Sequence, residues 1–252
     1  MYSTKGHLAI IHPEKINRIL VVGDLHGDLQ NFEKVKSLFE KDDLLIFLGD
    51  YADRGRNGVE VIDGVRKLLE KYNVIALKGN HEDYQNGMPK FSPCTLISEV
   101  KEKLGDWNTY FQDLKNFLDK LYLAAVIPEW VLFVHGGISK RIQGMKDLEK
   151  DIESLLWSDP CQMNGEFPNP RGAGVLFGPD ISKDVTERIN VKYIIRSHQP
   201  RKALSSPVIE HDGRVVTISS TSIYGGRPFV LSLPAKDLPK NGYEIAKYVI
   251  YL

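Results

Sequence analysis

Asp24 and His26 stand two residues apart in the stretch VVGDLHGDLQ, fenced by Gly23 and Gly27, and four further stretches carry comparable side chains. Asp50 lies in LGDYADRG, Asn80 in KGNHE, His135 in VHGG and His198 in RSHQ. Together Asp24, His26, Asp50, Asn80, His135 and His198 offer three oxygen donors and three imidazoles, without a thiolate. Such a set suits manganese, iron or zinc in a working site; structural zinc favours cysteine, and calcium seldom takes imidazole. The set is too large for one ion that must also hold water and substrate. Two divalent ions sharing Asp50 as a bridge, ~3.5 to 4 Å apart, would use it fully and would acidify a water between them, so that hydroxide exists near neutral pH. Taken singly, each of these residues reads as a turn former, a helix cap or a satisfied polar group. Separate loops that each deliver a suitable donor are hard to reach by turn chemistry alone.

The donors follow short apolar bursts, RILVV, LLIFL, VIAL, WVLFV and VKYII, each ending abruptly in polar residues. Bursts with little alternation read as strands covered on both faces, and loops at the carboxyl ends of such strands are where open α/β sheets bind ligands. Helical spacing fills the gaps. Phe32, Val35, Leu38 and Phe39 predict one amphipathic face, and Val61, Val65, Leu68 and Leu69 a second. Trp107 to Leu121 predicts a third, with Asp106 as N-cap. Beyond Arg201 the pattern turns to short strands: PVIEHDGRVVTISS reads as a hairpin turning at Asp212-Gly213, followed by strands in RPFVLSL and YEIAKYVIYL. The fold expected is α/β, two packed mixed sheets flanked by helices, with residues 1–252 forming one catalytic domain.

Composition narrows the partners. The 33 Lys and Arg balance 33 Asp and Glu, so no net field collects nucleic acid or an anionic membrane, and charged ligands must be met locally. No basic patch with interleaved aromatics appears. His7, His12 and Pro13 interrupt the apolar core a signal peptide would need, and Pro128 and Glu129 break the longest apolar stretch. With only Cys94 and Cys161, outside any C-x-x-C pair, the expectation is a cytoplasmic protein with reduced thiols.

In order along the chain, GDLHG, GDYADRG, GNHE, HGG, LLWSDP, PRGAGVLFG and RSHQ resemble the phosphoprotein phosphatases of the metallophosphoesterase superfamily, over residues 23 to 199. The resemblance implies a serine/threonine phosphatase whose substrate is a phosphorylated protein or peptide. It implies that Asp24, His26 and Asp50 hold one ion and that Asp50, Asn80, His135 and His198 hold the other. It also implies a hydroxide bridging the ions that attacks phosphorus directly, with His81 protonating the leaving oxygen and Asp53 fixing the His81 tautomer and favouring its cationic form. Arg54 and Arg171 would clamp the phosphoryl oxygens with Asn80, since a planar guanidinium matches them bidentately. Tyr224 resembles the family's tyrosine over the site, but Ser222, Ile223 and Gly225 depart from the family's pattern around it, which puts the shape of the lip in doubt. Asp159 in WSDP reads equally as a group orienting the site and as a turn former before Pro160. A small-molecule phosphoesterase, such as a bis-nucleoside polyphosphate hydrolase, and a scaffold without catalysis are the competing readings. Regulatory subunits stay open.

Overall fold

In the first apolar burst, Arg18–Val22, alternate residues serve different cores. Ile19 and Val21 pack with Ile46, Phe133 and Ile195, whereas Leu20 and Val22 pack with Phe32, Phe47 and Val61. A strand covered on both sides has no polar face to alternate with, which is why its sequence runs continuously apolar. The protein, described over residues 1–252 by a computed structural model, repeats this arrangement in two sheets.

The five-stranded sheet runs in the order Val249–Tyr251, Phe229–Pro234, Arg18–Val22, Leu44–Phe47, Val74–Ala76, its last three strands parallel. The seven-stranded sheet runs Tyr2–Lys5, Leu8–Ile11, Ala124–Ile127, Val131–Val134, Tyr193–Arg196, Val215–Thr217, Val208–Glu210, and here Val131–Val134, Tyr193–Arg196 and Val215–Thr217 are parallel neighbours. One buried cluster lies between the sheets. A second joins the five-stranded sheet to the helices Leu29–Leu38, Gly58–Lys71, Leu96–Leu104 and Trp107–Leu118. A third joins the seven-stranded sheet to Ile152–Trp157 and Pro179–Arg188, through Leu155, Leu156 and Val185. The layers are therefore helix, sheet, sheet, helix, the mixed α/β architecture expected from the sequence.

Asp106 caps the third amphipathic helix by accepting from Thr109 N at 2.8 Å, but that helix ends at Leu118, with Leu121 buried beyond it. The Asp212-Gly213 hairpin forms, its turn passing through left-handed conformations at His211, Asp212 and Gly213. One expectation fails: YEIAKYVIYL is not a single strand. Gly242–Tyr248 winds into a 3-10 helix that buries Ile245, and only Val249–Tyr251 joins the sheet. The WSDP and PRGAGVLFG stretches build a small ribbon, Asp159–Pro160 and Glu166–Pro168 pairing on either side of Val175–Phe177. No helix is long and apolar enough to cross a membrane.

Candidate active site

The two parallel runs point their carboxyl ends the same way. The loops after Val22, Phe47 and Ala76 from one sheet and after Val134 and Arg196 from the other thus meet over a cavity of about 500 Å³. His26, Asp50, Arg54, Asn80, His81, Arg171, His198 and Tyr224 line it, and Asp24, Asp53 and His135 are fully buried in the same cluster of side chains. Every residue singled out by the sequence is brought to this one place. The backbone bends hard to do so: His26, Asp50, Asp53, Arg54 and His198 all hold φ between 48° and 71°, the left-handed region that non-glycine residues avoid. Gly79 is required by the same crowding, because a Cβ there would stand 2.5 Å from Asp50 N.

Asp50 is the centre of the donor set. Its Oδ2 lies 3.6 Å from His26 Nε2 and its Oδ1 lies 3.4 Å from His135 Nε2. His135 Nε2 is also 3.0 Å from Asn80 Oδ1 and 3.1 Å from His198 Nδ1. His135 Nδ1 lies 2.8 Å from the Leu48 carbonyl and His26 Nδ1 lies 3.1 Å from that of Ala52. A carbonyl only accepts, so both Nδ1 atoms carry the proton and both Nε2 atoms turn bare lone pairs toward other acceptors. Asp24 Oδ2 and His198 Nε2 are buried without any hydrogen-bond partner. Lone pairs facing lone pairs among buried side chains fit a cation between them.

The electrostatics agree. Burial pushes the Asp24 carboxyl up, and burial followed by the repulsion of Asp24 and Glu82 pushes Asp50 well above the usual carboxylate range. Burial also pulls His135 and His198 far below the ordinary imidazole value, and His26 down to about 3. Neutral imidazoles beside strained carboxylates are the state that divalent ions stabilise. Geometry forms two donor groups that share Asp50, namely His26, Asp50 and His81, and Asp50, His135 and His198, each within 4.8 Å. His81 is already engaged: its Nδ1 sits 2.7 Å from Asp53 Oδ2. Asp24 Oδ2, 4.0 Å from His26 Nε2 and without a partner, is the freer donor on that side.

Asp53 is itself fixed. Burial alone would raise its carboxyl, but hydrogen bonds from His81 and from the Leu96 and Thr95 amides outweigh burial and hold it below the usual range. Its Oδ1 accepts from Thr95 N at 2.5 Å and Leu96 N at 2.8 Å, at the start of the helix Leu96–Leu104. With one oxygen held there, the other holds His81 in place. Around the mouth, Arg54 Nε donates to the Tyr224 hydroxyl at 3.1 Å, and Arg171 Nε donates to Asp159 Oδ2 at 2.7 Å. Asp159 Oδ1 accepts from the fully buried Arg196 at 2.9 Å, so Asp159 orients a cation of the cleft and is not only a turn former.

Two contributors escaped the sequence reading. Glu82 follows His81 and is buried, accepting from the amides of Asp50, Tyr51 and Gly79 at 2.9, 3.1 and 2.8 Å, so it ties two donor loops together. Its proximity to His81 in GNHE was the available signal. The turn residues Pro200 to Lys202, just beyond the RSHQ motif, line the cavity without any motif of their own to announce them.

A model of the calcineurin-like phosphoesterase family matches residues 17–202. A probable serine/threonine-protein phosphatase of Encephalitozoon cuniculi is 33% identical over 239 residues, covering 86% of this chain and 50% of that protein. Human serine/threonine-protein phosphatase 5 is 32% identical over 247 residues, covering 89% of this chain and 48% of that protein. The chain thus spans about half the length of the curated relatives it matches. A solved protein serine/threonine phosphatase from Saccharomyces cerevisiae shares the fold, with a TM-score of 0.74 at 24% identity over 97% of this chain and 81% of that one.

Proposed function

Because the chain belongs to the calcineurin-like phosphoesterase family, we propose that it is a metal-dependent phosphatase acting on phosphoserine and phosphothreonine of proteins or peptides. The observation that carries this reading is Asp50, whose two oxygens face unprotonated imidazole nitrogens of two different donor groups at 3.4 and 3.6 Å. On this reading Asp24, His26 and Asp50 would hold one divalent ion, and Asp50, Asn80, His135 and His198 the other. Bound ions of this kind neutralise phosphoryl oxygens and acidify water, making a nucleophile available near neutral pH. Oxygen and imidazole donors without thiolate suit manganese, with iron or zinc as substitutes.

The side chains divide the remaining work. Arg54 and Arg171 line the cleft and can bind the equatorial oxygens, each already oriented, by Tyr224 and by Asp159 respectively. His81 Nδ1 is held by Asp53 while its Nε2 lies 3.5 Å from Nη2 of Arg54, beside the group that would bind phosphate, which suits a general acid for the leaving alkoxide. Ser197, the hydroxyl beside the donors, donates to Asp24 Oδ1 at 2.5 Å and is fully buried, so it is not a free nucleophile for a phosphoenzyme. The match of 86 to 89% of this chain as one stretch of its relatives supports one catalytic unit, and its two free cysteines suit the reducing cytoplasm.

The test is turnover of metal-stripped protein, with and without added Mn²⁺, on a phosphoserine peptide, an aryl phosphate and a dinucleoside polyphosphate. The expected result is Mn²⁺-dependent release of phosphate from the peptide. Cleavage of the dinucleoside polyphosphate alone would establish the small-molecule reading, and neither metal uptake nor turnover would leave a scaffold.

A further inference from the structure

The phosphoryl clamp does not account for every cation of the cleft. Arg54, Arg171, Arg201 and Lys202 line the cavity and Asp50 is its one carboxylate, in a chain whose charges balance overall. These cations differ in what they already hold. Arg171 is paired with Asp159 at 2.7 Å and Lys202 with Glu210 at 2.6 Å. Arg54 donates to the Tyr224 hydroxyl at 3.1 Å and to the Pro93 carbonyl at 3.4 Å. Arg201 has no carboxylate and no hydrogen-bond acceptor; its guanidinium lies exposed over the Tyr224 ring, 5.4 Å from the centroid.

Nor is it a loose surface arginine. Lys202 N and Ala203 N both donate to Gln199 O, at 2.9 and 3.3 Å, and Ala203 is fully buried. Gln199 Oε1 accepts from Nη1 of the buried Arg196 at 2.6 Å, and Leu204 O accepts from Arg227 N at 3.0 Å. The turn that carries Arg201 is therefore tied at both ends. A guanidinium fixed over an aromatic face with its donors unspent loses little freedom when it binds an anion.

The geometry points to a second anion subsite at Arg201, beside the phosphoryl position, that takes an acidic side chain flanking the phosphorylated residue of a peptide. This inference rests on the reading of the site as that of a protein phosphatase. An exposed pair of this kind shifts selectivity by roughly two- to five-fold per charge.

The experiment compares kcat/KM of the Mn²⁺-loaded protein on phosphoserine peptides bearing Glu, Ala or Lys on either side of the phosphoserine, with an aryl phosphate as reference. The native protein should prefer the Glu peptide to the Ala peptide by about two- to five-fold. Arg201→Ala should bring the two to parity, and Arg201→Glu should invert the order in favour of Lys. Calorimetric Kd values for the same peptides carrying a non-hydrolysable phosphonate should rank alike, independently of turnover. An unchanged Glu to Ala ratio in both variants would overturn the subsite and leave the phosphatase reading standing. Turnover of the aryl phosphate with none of any phosphoserine peptide would overturn that reading, and the subsite with it.

Discussion

Asp50 and Arg171 share one cleft, yet they are held by opposite means. Asp50 is 2% exposed, sits in left-handed backbone at the end of a central strand, and is braced by Glu82 through its own amide. Arg171 has a side chain 40% exposed, lies in the turn between two short ribbon strands, and owes its direction to a single carboxylate, Asp159. The floor of the cleft is thus backbone bent over rigid strands, and the rim is side chains paired across the surface. Floor geometry is costly to form and hard to vary; rim geometry depends on which long side chains meet. Chemistry common to a family belongs on the first kind of support, and selectivity among substrates on the second.

His81→Asn puts the floor to its severest test. The residue is 5% exposed and its Nδ1 bond to Asp53 can be kept by the amide, so the fold and the donor set should survive. Turnover of an alkyl phosphate ester should nevertheless fall by ~10² to 10⁴, because the leaving oxygen loses its proton source. An aryl ester, whose leaving group needs no proton, should lose much less. Equal losses on both would remove His81 from the acid role.

Asp159→Asn breaks the rim at its deepest point. Arg196 is fully buried and burial pulls its pKa down, against the attraction of Asp159. Without that carboxylate the guanidinium keeps only neutral acceptors, among them the Gly136 carbonyl, the Ser158 carbonyl and Gln199. Breaking a buried ion pair from one side costs about 3 to 5 kcal/mol, which urea denaturation would register. If floor and rim are separate supports, the native fraction of this variant should still bind its full complement of metal while KM for phosphopeptide rises. Loss of metal in step with stability would show them to be one unit.

The same division explains what could be read in the sequence. The placement of the candidate donors was legible because they follow apolar bursts closely, so a strand ending at Val22 or Val134 places Asp24 or His135 without any long-range knowledge. The rim pairs were not. Arg171 meets a carboxylate 12 residues away, Arg196 meets the same one from 37, and Arg54 reaches a tyrosine 170 residues on. No local pattern encodes such meetings. YEIAKYVIYL misled for a different reason: its apolar residues read as one strand, but Tyr243 is 60% exposed while Ile245 is buried, a split that a 3-10 helix makes and a strand, whose i and i+2 residues share a face, does not. The opening strand Tyr2–Lys5 is an edge strand with an exposed polar face, so no apolar burst marks it.

Asp28 joins the two supports, and its removal should give the smallest effect. From the floor side it caps the helix Leu29–Leu38, accepting from Asn31 N at 3.2 Å. From the rim side it accepts from Ser222 N and Ser222 Oγ, both at 2.7 Å, two residues before Tyr224. Burial would raise this carboxyl, but the hydrogen bonds from Ser222 and Asn31 outweigh it and hold the group below its ordinary value. A carboxylate whose folded pKa is depressed stabilises fully above its unfolded value and ceases to do so as pH falls through the folded one. Asp28→Ala should therefore cost about 1 to 2 kcal/mol near pH 7, as lost caps do. The gap between native protein and variant should narrow once the pH drops below about 4, the unfolded aspartate value. Denaturation curves at both pH values measure it. With Ser222 released, the lip carrying Tyr224 loses its anchor, so KM for phosphopeptide should rise while kcat, set by the floor, holds; a fall in kcat alone would mean that Asp28 supports the donors and not the lip.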